Sequence, residues 1–407
     1  MSHNPRIAVE TVPATSKLMP PAGSEIDAED IYAESPPVRY GVVPENTSLG
    51  EERRSSVSLQ APTAQVFEVD PLKDPRWTPL VQRHPHASVF HSVEWLNALK
   101  ISYGYTPVAL TFSPPGTLLE NAILFCQVRS ALTGNRLVSL PFSDHCEPLV
   151  NHPREVDLFV RTLVKKVDEK NWKYFEIRPI VHAPNDADLT VCHSYYFHVV
   201  DLRENEQVLF KTLHKDSIQR KIRRAEREGL RYEEGTSETL LDHFYKLMIG
   251  TRREHGLPPQ SLKWFRAVIT CMAGNAKIRV AYKGDTPVAS ILTLSSKNRV
   301  VYKYGCSDSR FTNLGGTAML FWRTIQEAKA AGREEFDLGR SDLDNPGLIT
   351  FKERWGAQRK TIEYWHYPAS SASSRPESLI KYAKRLISFM PDKPLTIIGN
   401  LLYRHIG

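Results

Sequence analysis

Between Glu334 and Ala357 the chain reads EEFDLGRSDLDNPGLITFKERWGA. Phe336 to Leu338 have the composition of a buried strand, and Phe351, Lys352 and Trp355 have the spacing of a helix. Between them stand Arg340, Asp342, Asp344 and Asn345. A core strand that ends in charges delivers them to a loop, where folds place chemistry; a solvated turn accounts for the same residues. Asp342 either accepts a proton from a ligand or holds Arg340. Phe351 and Trp355 share one helix face, so Lys352, about 100° around, can face a cleft. Four further positions carry chemistry. Tyr302 and Tyr304 alternate along the strand RVVYKYG and either line a cleft or fill the core. Arg252 ends a helix, where it binds an anion or simply answers the helix dipole. Asp144 and His145 follow a strand in PFSDHC, and His145 is a candidate base. The chain has no G-x-S-x-G serine nucleophile.

The elements that must position these residues recur. Ser92-x-x-Trp95 opens a helix with Ser92 as its cap. The strands PVALTF, AILFCQV and RLVSLPF follow, then a long helix from Pro153, then the strand KYFEI. Ser261-x-x-Trp264 opens a second helix, followed by KIRVAY, VASILTLS, RVVYKYG, a helix from Leu314, and EFDLG. Two units of like order at like spacing imply two related lobes; a chance likeness of α/β pattern is the alternative. Each lobe has an antiparallel meander, one helix and a further strand, unlike a series in which a helix follows every strand. Between the lobes, HKDSIQRKIRRAEREGL reads as a basic helix stopped by Gly229. It is either a solvated face or a contact for phosphate or RNA.

The 407 residues carry a net charge of +7. Residues 1–64 hold five Lys/Arg and nine Asp/Glu, so the remainder is more basic still and favours anionic partners. Their Pro, Ser and Glu content predicts a disordered acidic tail. The predicted divisions are 1–64, a first lobe over 65–200, a second lobe with its basic helix over 201–368, and a linker with amphipathic helices over 369–407. The five cysteines form no C-x-x-C pair and the fourteen histidines no ligand spacing, so no metal site is expected. No basic flank precedes an apolar run at the N-terminus and no stretch is long enough to span a bilayer, which predicts a cytoplasmic chain. Ser374-x-x-Glu377 reads as a capping box opening the C-terminal helices. These either dock on the lobes or anchor the chain at the inner face of the membrane.

FHSVEWLNAL, LVSLPFSDHCEPLV, IRRAEREGL, TRREHGLPP and FDLGRSDLDNPGLITFKERWGA with YWHYP, taken in this order, resemble the FemAB-like branch of the GNAT acyltransferase superfamily over residues 85–368. That branch includes peptidoglycan aminoacyltransferases and exopolysaccharide-associated proteins. The resemblance implies an α/β (α+β) fold of two tandem GNAT-like lobes, each a mostly antiparallel sheet flanked by helices. It implies direct transfer of an acyl group to an amine on a cell-envelope or exopolysaccharide precursor. On that match Lys352 binds a substrate phosphate; read from the residues themselves, Arg340, Arg252, Tyr302 and Asp144 are the substrate-binding candidates, and Asp342, Tyr304 and His145 the catalytic ones. The donor-phosphate loop falls on Asn313, Gly315, Gly316 and Thr317, where the glycine spacing departs from the superfamily's usual turn. No tightly bound cofactor is implied; the donor is either acyl-CoA or aminoacyl-tRNA, tRNA being a partner only in the second case, and no DNA partner is expected. Two other readings stand beside this one: a tRNA-dependent peptidoglycan aminoacyltransferase, and a non-catalytic, membrane-proximal binding module.

Overall fold

The computed structural model describes residues 65–186, 188–368 and 385–406; the acidic tail and the Ser374–Glu377 box lie outside the described residues. In chain order, β1 (Phe67–Val69), α1 (Trp77–Arg83), α2 (Val93–Tyr103), β2 (Thr106–Thr111), β3 (Ile123–Val128), β4 (Arg136–Val138), α3 (Pro153–Glu169), β5 (Tyr174–Ile177) and β6 (Thr190–Asp201) come first. The connection holds α4 (Glu206–Thr212), the basic α5 (Arg220–Arg227), β7 (Arg231–Gly235) and α6 (Glu238–Glu254). Then follow α7 (Leu262–Cys271), β8 (Ala276–Lys283), β9 (Thr286–Ser296), β10 (Arg299–Ser307), α8 (Gly316–Ala330), β11 (Glu335–Asp342), α9 (Pro346–Glu353) and β12 (Gln358–Tyr367). A last helix, α10 (Asp392–Ile406), closes the chain.

Both Ser-x-x-Trp motifs begin helices as their spacing requires. Ser92 accepts the Trp95 amide and Ser261 the Trp264 amide, each satisfying a donor that the first turn leaves free. The two tryptophans meet edge to face, with ring centroids 5.1 Å apart, where α2 packs on α7. The repeat is thus also a contact between lobes. Gly229 takes φ +65° just past α5, the left-handed stop that its position predicts.

All twelve strands form one sheet, in the order β1-β2-β3-β4-β5-β12-β6-β11-β10-β9-β8-β7. Only β4–β5 and β10–β11 run parallel. The order is a palindrome about the β12–β6 pair, as expected for a duplicated unit. The final strand of each lobe is exchanged: β6 pairs with β11, and β12 pairs with β5. The 65–200 and 201–368 division therefore follows the chain and not the sheet. α2, α6 and α7 cover one face, where a single core spans both lobes. On the other face α3 covers the first lobe, and α4, α5, α8 and α9 cover the second. No helix among the described residues is long and apolar enough to cross a membrane.

Because each half of the sheet is completed by the other half's last strand, the two lobes should unfold together. Calorimetry on the intact chain should give one transition whose van't Hoff and calorimetric enthalpies agree; two resolved transitions would count against the coupling.

Candidate active site

The parallel pair β10–β11 is short, running only from Arg299 opposite Glu335 to Val301 opposite Asp337. Just beyond it β10 bulges against β9 between Tyr302 and Tyr304, and β11 bulges against β6 between Asp337 and Arg340. An extra residue on each strand sharpens the local bend, and the two strands part. The bulges also turn Lys303 and Gly339 into the opening.

A loop of the first lobe fills this seam. The Asp144 carboxylate lies 3.2 Å from Lys303 Nζ and 3.8 Å from Arg340 Nε. Gly339 faces the same carboxylate: a Cβ there would stand 3.2 Å from Asp144 Oδ2, and its φ of +70° already excludes most side chains. From the exchanged strand β12, the Tyr364 hydroxyl donates to the Asp144 backbone oxygen at 2.6 Å and accepts from Arg340 Nη1 at 2.9 Å. The Arg340 guanidinium also lies over the Tyr195 ring of β6, 4.3 Å from its centroid. It is held on three sides and remains partly exposed.

α9 begins where Asn345 accepts the Leu348 amide, with Pro346 in its first turn. Its Lys352 then projects under the β11 bulge. Nζ donates to the carbonyls of Gly339 (3.1 Å) and Arg340 (2.6 Å). The Gly339 amide in turn donates to Asp337 Oδ1 at 2.7 Å, so the backbone groups freed by the bulge are satisfied by two side chains. Asp337 Oδ2 also stands 3.3 Å from His145 Nε2.

The electrostatics follow from burial among opposite charges. Burial alone would raise the Asp144 carboxyl, but Lys303, Arg340 and Lys352 outweigh it and hold it below its ordinary value. Burial lowers Lys303 despite Asp144 beside it. Burial also pulls Lys352 down to about 7, with the nearby Asp144 and Asp337 opposing the shift. A neutral lysine amine keeps two N–H groups, enough for its two carbonyl partners.

The seam unites Asp144, His145, Arg340 and Lys352, with Asp342 at the partly exposed end of β11 opposite Tyr195. Three expectations are corrected. Lys352 does not face an open cleft; it is fully buried, and its ammonium supports the bulge. Arg340 lies against Asp144 and not only among the charges of its own turn. Tyr302 and Tyr304 do not share a face, because the bulge between them shifts the alternation. Tyr302 packs on Phe321 beneath α8, while Tyr304 accepts from Trp264 Nε1 at 2.9 Å in the core of the other face. Arg252, also buried, belongs to that second environment near Tyr304.

Asn313 to Thr317 form the turn into α8. At Gly315 a Cβ would lie 2.2 Å from the Lys221 carbonyl of α5, and at Gly316 a Cβ would lie 3.1 Å from the Ala289 Cβ. The two glycines thus let α8 start hard against α5 and the sheet; the space above them is taken by protein. α5 sets Arg220, Lys221, Arg223, Arg224 and Arg227 beside that start, with Arg220 paired to Asp216.

Reading the sequence missed Lys303, Asp337, Tyr364 and Tyr195. A signal existed for the first two: a lysine inside RVVYKYG and an aspartate inside EFDLG are charges within apolar strands, which persist only when paired. The tyrosines are brought in by strand exchange, which leaves no local mark.

The acetyltransferase (GNAT) domain family matches residues 213–353. No curated protein matches the sequence significantly. Among solved structures, FemX is similar over 79% of this chain and 100% of its own, at 12% identity and a TM-score of 0.58. A conserved protein of unknown function from Bacteroides thetaiotaomicron is similar over 74% of this chain and 99% of its own, at 11% identity and a TM-score of 0.50. At such identities the likeness is one of fold.

Two stability predictions follow from the buried charges. Lys303→Met should cost toward the lower end of about 3–5 kcal/mol, because Arg340 remains to answer Asp144. Adding Asp144→Asn should restore part of that loss in urea denaturation, and strict additivity would contradict the pair. For Lys352, folded and unfolded chains both hold the proton below pH 7, and its burial counts fully against the fold. As pH rises from about 7 toward the ordinary lysine value, the folded chain has released a proton that the unfolded chain keeps. Stability should therefore rise, by at most ~1.4 kcal/mol per pH unit. Lys352→Met should abolish this rise between pH 7 and 9.5; an equal slope in both proteins would show that Lys352 does not titrate there.

Proposed function

We propose, from the premise that this chain is an acyltransferase of the FemAB-like GNAT branch with its GNAT domain over residues 213–353, that it transfers an acyl group to an amine of a phosphate-bearing cell-envelope precursor. The observation that carries this reading is the seam between β10 and β11: a partly exposed Arg340 and Asp342 above a buried Asp144–Lys303 pair.

Transfer to an amine requires alignment, removal of a proton and stabilisation of the carbonyl oxygen as it gains charge. Arg340 is the group prepared for an anion. Tyr195 lies flat beneath it, and Asp144 and Tyr364 fix its orientation, so little reorganisation is needed when a substrate phosphate or an oxyanion arrives. Asp342, at the solvent end of β11, is placed to accept the amine proton. His145 is enclosed between Phe90 and Phe197 and bonded to Asp337, which suits it to holding Asp337 in place.

The GNAT domain points to an acyl-CoA donor. The glycines of the turn into α8 serve packing, however, and no step is assigned through a cradle there. The cations of α5 beside that turn suit the phosphates of either donor, coenzyme A or an aminoacyl-tRNA. The tRNA reading is favoured by the number of arginines on one short helix.

Arg340→Gln should lower kcat/KM by about 10²-fold, within the range of a lost donor to developing charge, with folding unchanged by circular dichroism. Asp342→Asn should lower kcat and displace the acidic limb of the pH profile. The assay supplies acetyl-CoA or charged tRNA with an amine-bearing, diphosphate-linked envelope precursor and follows acylation by mass spectrometry. Full activity in both variants would remove the seam from the reaction.

A further inference from the structure

A cavity lies where α2 of the first lobe, α7 of the second and α10 meet. Its volume is about 490 Å³, and Ser102, Tyr103, Ser261, Lys263, Asn400 and Arg404 are among the residues that line it. The size suits a small organic ligand. Among the described residues, two cations line it and no carboxylate does. Ser261 caps α7, so the ten-residue helix directs its N-terminal amides and the positive end of its dipole to this place. The Ser102 hydroxyl is buried and makes no hydrogen bond among the described residues, while the buried Tyr103 hydroxyl turns toward Ser261. A buried hydroxyl without a partner is costly and marks a place that a polar ligand can satisfy.

α10 is built into the protein at this site. The Tyr105 hydroxyl donates to the Tyr403 carbonyl at 2.8 Å, Arg136 donates to the His405 carbonyl at 2.7 Å, and Tyr403 donates to the Pro258 carbonyl at 3.1 Å. Gly399 allows the helix to lie against the Pro259 carbonyl, which a Cβ would strike. With its inner face fixed, the helix presents Ile397 and Leu401 outward, 58% and 66% exposed, next in sequence to the lining residues Thr396 and Asn400. Across the cavity Ile101 is exposed beside Ser102. Leu132 is exposed on the turn whose Ser130 and Thr133 hold His405, and Leu386 and Phe389 stand bare just before α10. Ile101, Ile397 and Leu401 are thus exposed apolar side chains next in sequence to residues that line this opening.

We propose that this cavity binds the phosphate of an anionic phospholipid, with the apolar rim resting in the bilayer interface. The cations and the α7 amides would take the phosphate, Ser102 would gain its missing partner, and Ile101, Ile397 and Leu401 would meet the acyl region. A soluble phosphate shares the polar half of this chemistry but gives the apolar rim no role.

The test uses the full chain at low salt with vesicles of phosphatidylcholine alone or mixed with phosphatidylglycerol. Co-sedimentation should be at least tenfold stronger with the anionic vesicles. The double variant Lys263→Gln/Arg404→Gln should lose at least tenfold, and Ile397→Gln/Leu401→Gln a similar amount. All four positions are at the surface, so unchanged melting temperatures should accompany the losses. Equal binding to both vesicles, binding to neither, or undiminished binding in the charge variant overturns the proposal. Stabilisation by inorganic phosphate without vesicle binding also overturns it and gives the cavity to a soluble ligand.

Discussion

A carboxylate from one lobe meets an ammonium from the other inside the sheet. The Asp144–Lys303 pair depends on every large feature of the fold, and they depend on it. Lys303 reaches the seam only because β10 bulges, and Asp144 fits only because Gly339 leaves room. Arg340 is aimed by Asp144 and by Tyr364, a residue of an exchanged strand. Two buried charges cost several kcal/mol each unless they are well paired. This arrangement therefore tolerates little movement between the lobes, and it holds the Arg340 guanidinium in one place.

The duplication shows why the partly exposed arginine stands in the second lobe. Phe175-Glu176-Ile177-Arg178 on β5 parallels Phe336-Asp337-Leu338-Gly339-Arg340 on β11, with Gly339 as the one additional residue. In the first lobe Arg178 closes on Glu176 at 2.7 Å, and the chain after β4 fills the gap: the Ser139 amide bonds to the Glu176 carbonyl, and Cys146 bridges to Arg178. In the second lobe the added glycine makes the bulge, frees the arginine from its own strand's carboxylate, and leaves the seam to be occupied by Asp144. One inserted residue separates a closed structural pair from a poised one.

Much of this was legible in the sequence, and the rest was hidden for definite reasons. The Ser-x-x-Trp starts, the repeated order of elements and the Gly229 stop are local effects of capping and periodicity, and they could be read directly. Arg340, Asp342 and Asp144 stood out as charges at strand ends. The bulges could not be read, because a bulge is defined against the partner strand and has no fixed residue signature beyond an occasional glycine. Without them the alternation of Tyr302 and Tyr304 was read on one face, and Lys352 was turned outward. Strand exchange was equally silent: β6 and β12 have ordinary strand sequences, and only the sheet shows which partner each one takes.

The exchange of those two strands also sets a schedule for synthesis. The first lobe's β5 has its hydrogen-bonding edge covered by β12, which ends at Tyr367. While the ribosome is still making the second lobe, that edge remains open, and so does the flank of β6 that β11 will later cover. An open edge invites pairing with a wrong strand, including the same strand of another nascent chain. The first half cannot mature as an independent unit, and a gene split at the junction between the halves would yield two fragments, each lacking the strand that its partner carries.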